Sequence, residues 1–480
     1  MTNPIYVTTT IPYVNAPPHI GFALELVQAD AIARYHKLIG NAVRFQTGTD
    51  ENALKNVLRA RTLGVPVRRL VDDNSARFRS LCAALDISVD RFLRTTEAAH
   101  HASVTSFLKG LRADDLYRHS YHGLYCAGCE DFYDSRDLED GRCPEHGVHA
   151  IAVDEENVFF RLSRYEGELH DLISTRRLRI VPESREVEVL RFIDRGLADI
   201  SISRDSRRSE SWGIPFPGAS GQTVYVWIDA LINYLTGLGY PNEAASRYWH
   251  TTRKLHVIGK NVWKFHAVYW PALLLSARLP VPNQIVIHGF LTNEGRKISK
   301  STGDAADPAE YVGRFGSDAV RYFLLRHVRP FDDSDFSEAR LANAYQADLA
   351  NGLGNLVSRV CALCQKAAVP GVAPLHLPVA PPGYHEHLSV FRFDLALGGL
   401  WNEVTALNRE ITVSKPWEDI KAGRRAEARA VLSPWVERLA SIGHWLSPFL
   451  PSTSAAISHR LQQTLISSGE ALFLRATTLT

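Results

Sequence analysis

The sequence contains very little methionine, cysteine and lysine. One methionine, six cysteines and eleven lysines occur in 480 residues, and the lysines are outnumbered by 43 arginines. Six cysteines are too few for a scaffold stabilised by disulfides, so the composition predicts a cytoplasmic protein. The first ten residues, MTNPIYVTTT, contain neither a basic segment nor an apolar core, and no secretory signal is predicted.

Long hydrophobic runs and an excess of charge are also missing. No uncharged apolar stretch of about 18 residues occurs, so no membrane span is predicted. The 54 basic and 52 acidic residues give a net charge of +2, which excludes a polycation but allows a local basic groove. The 45% apolar fraction excludes a disordered chain, and the length predicts two to four domains.

The N-terminal residues have the pattern of a parallel α/β sheet. The β-branched segment 5–10 predicts a strand, apolar residues spaced by three and four after Gly21 predict a helix, and 42–46 predicts a second strand. This order is typical of a βαβ unit. The α/β pattern returns in residues 221–303. Strands are predicted there at 222–228, 254–258 and 284–287, with a helix at 265–276.

Two regions depart from this pattern. Residues 115–150 hold three of the six cysteines and little helical periodicity, which indicates a small inserted module. Strand signals fade after about residue 335, and helical spacing in 337–366 and 432–449 indicates a helical bundle. The prolines between Pro370 and Pro382 mark a linker within that bundle.

The first motif that can carry chemistry is His19-Ile20-Gly21, at the junction of strand and helix. A helix N-terminus offers unpaired N–H groups and positive potential, which suit phosphate. His19 can add a donor, and Gly21 lets a nucleotide approach the backbone. Taken alone, a histidine before a helix is more often a cap.

The second motif is the segment 295–303, GRKISKSTG. Lys297 and Lys300 lie on either side of Ser299 in a loop rich in Ser, Thr and Gly. Mobile ammonium groups there can follow the charge of a triphosphate as it reacts. By itself the motif is equally compatible with an exposed basic loop.

The two motifs, about 280 residues apart in an α/β context, resemble the two-part signature of class I aminoacyl-tRNA synthetases. Within that class the chain most resembles the methionyl-tRNA synthetase family. Segments 11–15, 48–51, 225–234 and 265–266 match that family. The resemblance implies a Rossmann-like α/β catalytic domain, a connective insertion with a zinc knuckle, and a C-terminal all-α anticodon-binding bundle. The expected segments are 1–114 and 216–335 for the catalytic domain, 115–215 for the insertion and 336–480 for the bundle.

A zinc site is predicted from spacing in the insertion. Cys126, Cys129, Cys143 and His146 supply the four ligands of a tetrahedral Zn²⁺, and the family carries zinc knuckles in the same place. All four positions are protein ligands, so one structural ion per chain is expected rather than a catalytic one. The second CxxC pair, in 361–364, lies in an apolar helical pattern and is expected to be core.

The resemblance also implies the substrate-binding residues. Asp50 would hold the ammonium group of the amino acid, and an apolar aromatic slot would suit a thioether. The implied amino-acid site consists of Ile11, Tyr13, Asp50, Trp227, Ala230, Tyr234, Asn261, Val262, Phe265 and His266. The implied ATP site consists of His19, Gly21, Lys297, Ser299 and Lys300, with Mg²⁺ accompanying ATP. Singly, each aromatic here would be plain core.

The resemblance further implies that three residues of the helical region read the anticodon of tRNA(Met). Asn355 and Arg359 lie four apart, on one helix face, and Trp417 follows in the second helical block. Amide, guanidinium and indole groups can hydrogen-bond and stack unpaired bases. The chain leaves no room for a further C-terminal RNA-binding domain, so a monomer with modest tRNA affinity is expected.

Three departures from the family lie near the expected chemistry. Phe22 stands where the first motif usually ends in a second histidine, Asn52-Ala53 where His-Gly is usual, and Asn261 where aspartate is usual. Such changes can cost a transition-state donor. Their clustering favours a paralogue that adenylates another amino acid without tRNA, in a small-molecule pathway.

The residues taken together predict a working methionine-tRNA ligase, which activates methionine with ATP and transfers it to tRNA(Met), and the paralogue is an alternative to it. The intact anticodon residues favour a working methionine-tRNA ligase, since an enzyme that ignores tRNA has no use for them. The third alternative is an inactive tRNA-binding protein, and the intact His19, Lys297 and Lys300 argue against it.

Overall fold

The structure is a computed structural model that describes residues 4–126, 131–133, 138–144, 147–293, 296–297 and 307–474. Its strands, in chain order, are β1 (Ile5–Thr9), β2 (Val43–Thr49), β3 (Arg91–Arg94), β4 (Leu116–Cys126), β5 (Asp131–Tyr133), β6 (Ile151–Phe160), β7 (Arg179–Val181), β8 (Ile200–Ser201), β9 (Ser203–Asp205), β10 (Gln222–Val224), β11 (Arg253–Gly259), β12 (Gln284–His288), β13 (Leu291–Asn293), β14 (Arg296–Lys297) and β15 (Ser334–Asp335).

The helices fill both the region between the strands and most of the C-terminal third. In chain order they are α1 (Ile20–Leu38), α2 (Leu54–Leu63), α3 (Val67–Ala84), α4 (Ala98–Gly110), α5 (Glu166–Ser174), α6 (Glu183–Asp194), α7 (Val226–Thr236), α8 (Glu243–Thr251), α9 (Trp270–Ser276), α10 (Pro308–Phe315), α11 (Ser317–Arg326), α12 (Glu338–Ala344), α13 (Asn355–Ala367), α14 (Tyr384–Ser389), α15 (Phe393–Ser414), α16 (Pro416–Lys421), α17 (Arg425–Leu446) and α18 (Pro451–Leu461). Two π-helical segments, Phe265–Tyr269 and Tyr345–Gly354, precede α9 and α13.

The largest sheet has six parallel strands in the order β3–β2–β1–β11–β12–β7. Its central strand β1 is buried along its whole length, with Ile5 opposite Val43 of β2 and Arg253 of β11. Near-continuous apolar runs are typical of parallel strands covered on both faces. The predicted α/β sheet is therefore confirmed.

One predicted strand is wrong in its second half. Residues 222–228 were expected to be extended, but β10 ends at Val224 and α7 begins at Val226. Ten of the eleven residues of α7 are buried, and its first three, Val226, Trp227 and Ile228, are all apolar, so they look like the end of a buried strand. The helical spacing of Trp227, Ala230 and Tyr234 is the signal that distinguishes the two.

The inserted region forms a separate antiparallel sheet of order β5–β4–β6–β8, in which Leu116 pairs with Phe160 and Tyr125 with Ile151. Helices α5 and α6 lie between β6 and β8 in the chain. The zinc-knuckle character of this insertion stays a prediction, because Cys129 and His146 lie outside the described residues.

The helical region contains the predicted C-terminal helices. In α17, the buried residues between Leu432 and Leu446 recur at helical spacing and form one face. The buried Arg321 of α11 contacts several segments. It pairs with Asp30 of α1 at 2.7 Å. It also donates to the carbonyls of Leu85 and Phe449 at 3.1 and 2.7 Å. A buried charge needs such partners to offset desolvation. No helix in the described part of the chain is long and apolar enough to cross a bilayer.

Internal contacts divide the chain into two compact units. The first holds the described residues within 1–18, 42–80 and 89–288, and includes the six-stranded sheet and the inserted sheet. The second holds those within 19–41, 81–88 and 289–480, and includes α1 with the C-terminal helices. The domain boundaries expected from the sequence stay a prediction.

Candidate functional site

Asp50 lies directly after β2, at the carboxyl end of the parallel sheet. Its amide N–H donates to the carbonyl of Pro12 at 2.9 Å, and it forms a parallel bridge with Tyr13 in the segment after β1. Ligands of open α/β sheets bind beyond the carboxyl ends of neighbouring strands. The buried carboxyl group of Asp50 is thus placed where such a sheet holds its ligand.

Glu51, the next residue, is held away from that position by structural contacts. Its carboxylate accepts from Arg94 of β3 at 2.6 and 3.0 Å and from the hydroxyl of Thr49 at 2.8 Å. Its carbonyl accepts from the indole of Trp212 at 2.8 Å and the amide of Asn56 at 2.9 Å. Sequence reasoning missed these contacts, which anchor the segment carrying Asp50.

Asn52 also lies in the interior, where it contacts the buried pair formed by Asp229 and His100. Its amide nitrogen donates to Asp229 at 2.8 Å and to the carbonyl of Thr95 at 3.2 Å. The other oxygen of Asp229 contacts Nε2 of His100 at 2.6 Å, and Nδ1 of His100 contacts the hydroxyl of Thr236 at 2.9 Å. The amide nitrogen of Asn52, the residue that departs from the family here, is therefore hydrogen-bonded inside the protein.

The aromatic residues expected to line the amino-acid site meet at one face of α7. Trp227, Ala230 and Tyr234 repeat at helical spacing, and the indole of Trp227 stacks on Phe265 with ring centroids 4.0 Å apart and planes inclined by 7°. Tyr13 tilts against the same indole at 5.8 Å. The structure thus brings together aromatic residues from three segments that are distant in sequence.

Tyr234 and His266 form a polar link at this slot. The Nδ1 of His266 contacts the carbonyl of Val262 at 2.9 Å, and Nε2 contacts the Tyr234 hydroxyl at 2.7 Å. A carbonyl only accepts, so Nδ1 carries a proton, and Nε2 is the nitrogen that meets the Tyr234 hydroxyl. The slot therefore combines apolar surface with one oriented hydroxyl, which suits a weakly polar thioether.

The remaining expected pocket residues differ in exposure. Ala230 and Val262 are buried, and Ile11 is half-buried. Asn261 is exposed, and its Oδ1 lies 3.1 Å from the position a Cβ would take on Gly259.

A buried histidine that sequence reasoning missed lies behind Tyr234. The ring of His256 in β11 stacks on Tyr234 at 4.2 Å and contacts the Thr8 hydroxyl at 2.6 Å. Burial lowers the pKa of His256 well below its usual value, and the neighbouring His266 and Lys254 add to this. His256 is therefore neutral at physiological pH.

In the second unit, His19 is the N-cap of α1. Its Nδ1 accepts the amide N–H of Gly21 at 3.1 Å. A Cβ at position 21 would lie 2.9 Å from Cε1 of His19, so a side chain there would collide with the capping imidazole. Phe22 is buried, consistent with an apolar core residue.

The lysine motif is described only in part. The backbone of Lys297 ends β14 and pairs with Thr292 of β13. Ser299 and Lys300 lie outside the described residues, so their predicted roles stay predictions.

The two described cysteines of the predicted zinc site are buried. Cys126 ends β4, and Cys143 begins a tight turn in which the N–H of Gly147 donates to the Cys143 carbonyl at 2.8 Å. No group of three metal-ligating side chains occurs among the residues whose placement is described. Cys361 and Cys364 are buried on α13, where burial raises both pKa values, that of Cys364 to about 12. This confirms them as core.

The expected anticodon residues lie on neighbouring helices of the second unit. Asn355 and Arg359 are half-buried on successive turns of α13, and Trp417 is half-buried on α16, which contacts α13. The guanidinium of Arg359 reaches Asn408 and Thr412 of α15 at 3.4 Å each. These long contacts leave the group loosely held.

Comparison with known proteins covers nearly the whole chain. A family model described as tRNA synthetases class I (M) matches residues 5–154 and 135–361. The methionine–tRNA ligase of Nostoc sp. is 39% identical in an alignment 476 residues long that covers 95% of this chain and 89% of that protein. That of Brucella suis biovar 1 is 38% identical in an alignment 470 residues long that covers 94% of this chain and 90% of that protein.

A solved structure gives a similar result. The Mycobacterium tuberculosis methionyl-tRNA synthetase in complex with methionyl-adenylate superposes with a TM-score of 0.91 at 36% identity. The superposition covers 99% of this chain and 100% of the mycobacterial chain.

Proposed function

The chain belongs to the class I tRNA synthetases (M), the family of the methionine–tRNA ligases, and we propose that it activates methionine with ATP and transfers it to tRNA(Met). The observation that supports this most is the arrangement of Asp50 and the aromatic slot. A buried carboxyl group at the end of β2 and a slot on α7 suit the two ends of one apolar amino acid. The departure at Asn52 leaves this arrangement intact.

Methionine binding follows from the two ends of the site. The carboxylate of Asp50 accepts from the substrate's ammonium group, a charge-assisted bond worth roughly 1.5–3 kcal/mol. The thioether lies against Trp227 and Phe265, near the hydroxyl of Tyr234. Sulfur–aromatic contacts contribute about 0.3–1.5 kcal/mol each, which selects methionine over a shorter aliphatic side chain.

Activation requires the methionine carboxylate to attack the α-phosphate of ATP in line, which forms methionyl-adenylate and releases pyrophosphate. His19, Gly21 and the N-terminus of α1 hold phosphate. Lys297, Ser299 and Lys300 neutralise the charge that develops on pyrophosphate, with Mg²⁺ accompanying ATP. Positioning and charge stabilisation supply most of the catalysis in phosphoryl chemistry of this kind. The terminal ribose hydroxyl of tRNA then attacks the carbonyl carbon of the adenylate, which breaks the mixed anhydride, releases AMP and leaves methionine esterified to the tRNA.

Recognition of tRNA(Met) is assigned to Asn355, Arg359 and Trp417. The loose contacts of Arg359 suit a group that exchanges protein partners for unpaired bases. We expect the protein to act as a monomer, and sedimentation or size-exclusion with light scattering measures this directly.

One structural zinc ion is assigned to Cys126, Cys129, Cys143 and His146. The two described thiols fit this role, because both are buried and metal binding there can supply folding free energy. Elemental analysis of the purified protein is expected to give about one zinc per chain. A metal-free preparation with full activity contradicts the assignment.

The decisive experiment is ATP–pyrophosphate exchange screened over the twenty amino acids and repeated as aminoacylation with tRNA. Methionine-dependent exchange together with charging of tRNA(Met) supports the proposed function. Exchange with a different amino acid selects the paralogue, which the changes at Phe22 and Asn261 favour. Binding of tRNA without any exchange selects the inactive tRNA-binding protein.

A further inference from the structure

The two ends of the proposed amino-acid site belong to different chain segments. Asp50, which holds the ammonium group in the proposed function, follows β2. Trp227 and Ala230, which contact the side chain, lie on α7. The distance between these segments therefore determines which length of amino acid fits the site. Any contact that fixes this distance contributes to specificity.

Asn52 makes such a contact. It lies two residues after Asp50, is 7% exposed, and donates to Oδ2 of Asp229 at 2.8 Å. Asp229 lies between Trp227 and Ala230 on α7. The hydrogen bond thus joins the two segments within two residues of the groups that would contact substrate, so little flexible chain intervenes.

The acceptor of this hydrogen bond is itself rigidly held. Asp229 is 1% exposed, and its second oxygen contacts His100 of α4 at 2.6 Å. The same imidazole contacts Thr236 at the end of α7 at 2.9 Å. Because a buried carboxylate without partners is costly, Asp229 has little freedom to follow a displaced Asn52.

The other half of α7 has a separate attachment to the sheet. The amide of Gln46 in β2 donates to the side chain and carbonyl of Asn233 at 2.7 and 3.1 Å. That attachment holds the C-terminal half of α7, whereas Asn52 acts on the N-terminal half that carries Trp227 and Ala230. Loss of Asn52 is therefore expected to loosen one end of the helix without detaching it.

We propose that Asn52 is a specificity-determining positioning residue, whose bond to Asp229 fixes the reach between the carboxylate of Asp50 and the aromatic slot. The inference rests on the proposed amino-acid activation. Asn52 touches neither substrate nor ATP in this account. It acts by keeping the site at the length of one amino acid, so its loss relaxes discrimination between side chains that differ by one methylene.

The test compares methionine with two homologues in ATP–pyrophosphate exchange: S-methylcysteine, one methylene shorter, and ethionine, one methylene longer. One methylene is ordinarily worth about 10–200-fold in discrimination. For Asn52→Ala we expect kcat/KM for methionine to fall about tenfold, through KM for the amino acid. The preference for methionine over ethionine is expected to fall at least about fivefold, with KM for ATP unchanged.

Two variants separate positioning from a general structural effect. Asn52→His keeps a nitrogen donor toward Asp229 and is expected to restore the preference to within about threefold of the native protein. Asn157→Ala removes an equally buried asparagine from β6 and is expected to leave the preference unchanged. An Asn52→Ala protein that keeps the native preference, or loses activity equally toward all three amino acids and ATP, overturns the proposal.

A protein that fails to fold does not end the test. Thr236→Val removes the hydroxyl that holds His100 and is expected to shift the same preference in the same direction, by less. If Asn52→Ala is insoluble and Thr236→Val discriminates like the native protein, the proposal is wrong. If the native protein activates another amino acid, the proposed function fails and the same comparison is made with homologues of that amino acid. If it activates none, both fail.

Discussion

The segment that carries Asp50 and the helix face that carries Arg359 are held in opposite ways. Around Asp50, the side chains of Glu51 and Asn52 are buried and make bonds of 2.6 and 2.8 Å to Arg94 and Asp229. On α13, Arg359 is half-exposed and its two protein contacts are 3.4 Å long. One region is assembled before any ligand arrives, and the other keeps its polar groups available.

This difference has an energetic meaning. Short, buried bonds to charged groups fix geometry, and the energy of ordering them is spent during folding rather than on binding. Contacts near 3.4 Å are weak, so exchanging them for contacts to RNA costs little. A rigid pocket suits a ligand of a few atoms, and a loosely held face suits a larger one. Changes in the pocket are therefore expected to affect adenylate formation strongly, and changes on α13 and α16 to affect only charging.

The largest effect is expected from Asp50→Asn, which keeps the shape of the side chain and removes its charge. Losing a charge-assisted bond to the ammonium group is expected to lower kcat/KM for methionine in pyrophosphate exchange by about 100-fold. Asp171→Asn, an exposed change on α5, serves as the control. Exchange that survives Asp50→Asn within a few-fold removes Asp50 from the site.

The next effect is expected from Trp417→Ala on α16. Stacking of a base on an aromatic ring is worth about 1–3 kcal/mol, so aminoacylation is expected to fall at least about tenfold. Exchange without tRNA is expected to stay within about twofold, because adenylate formation needs no anticodon contact. Equal loss of both activities places Trp417 in the fold rather than in tRNA binding.

A smaller effect is expected from Arg359→Lys, which keeps the charge and removes the planar guanidinium. Because the lysine ammonium lacks the planar guanidinium that stacks on a base and donates two parallel hydrogen bonds, charging is expected to fall about threefold. Thermal stability is expected to stay unchanged, since the contacts to Asn408 and Thr412 are long. Arg409→Lys, on the exposed side of α15, controls for charge near this face. A clear loss of stability in Arg359→Lys shows that this face is as tightly held as the pocket.

The sequence predicts the parts of this comparison that depend on local pattern. The parallel sheet follows from apolar runs and a βαβ order, and α17 from its helical spacing. Aromatic residues of the slot come from a family resemblance, and the structure brings Tyr13, Trp227 and Phe265 together. The first turn of α7 was wrongly expected to be strand, because a helix buried on all sides loses its amphipathic signal.

The contacts that fix the pocket could not be predicted in this way. Asn52 and Asp229 are 177 positions apart, and His100 and Asp229 are 129 apart. No local pattern pairs residues at such separations. Only the fold shows that Glu51 is engaged by Arg94.

The last expected effect is on stability rather than activity, and it concerns a lysine buried in the rigid region, Lys254 of β11. Its ammonium donates to the carbonyls of Trp249 and Thr252 at 2.9 Å each, and burial lowers its pKa from 10.5 to about 8. Below pH 8 the folded and unfolded chains both keep this proton. Between pH 8 and 10.5 only the unfolded chain keeps it, so the stability of the native protein rises with pH by at most about 1.4 kcal/mol per unit.

Lys254→Met removes this term. Urea unfolding at pH 8 and pH 9.5 is therefore expected to show the native protein gaining about 1–2 kcal/mol relative to Lys254→Met. The exposed Lys366→Met on α13, the helix that carries Arg359, is expected to follow the native protein at both pH values. If Lys254→Met also follows the native protein, the lysine has water or charge around it in the folded chain. The region around β11 is then more accessible to water than the contrast between a rigid pocket and the loosely held face of α13 assumes.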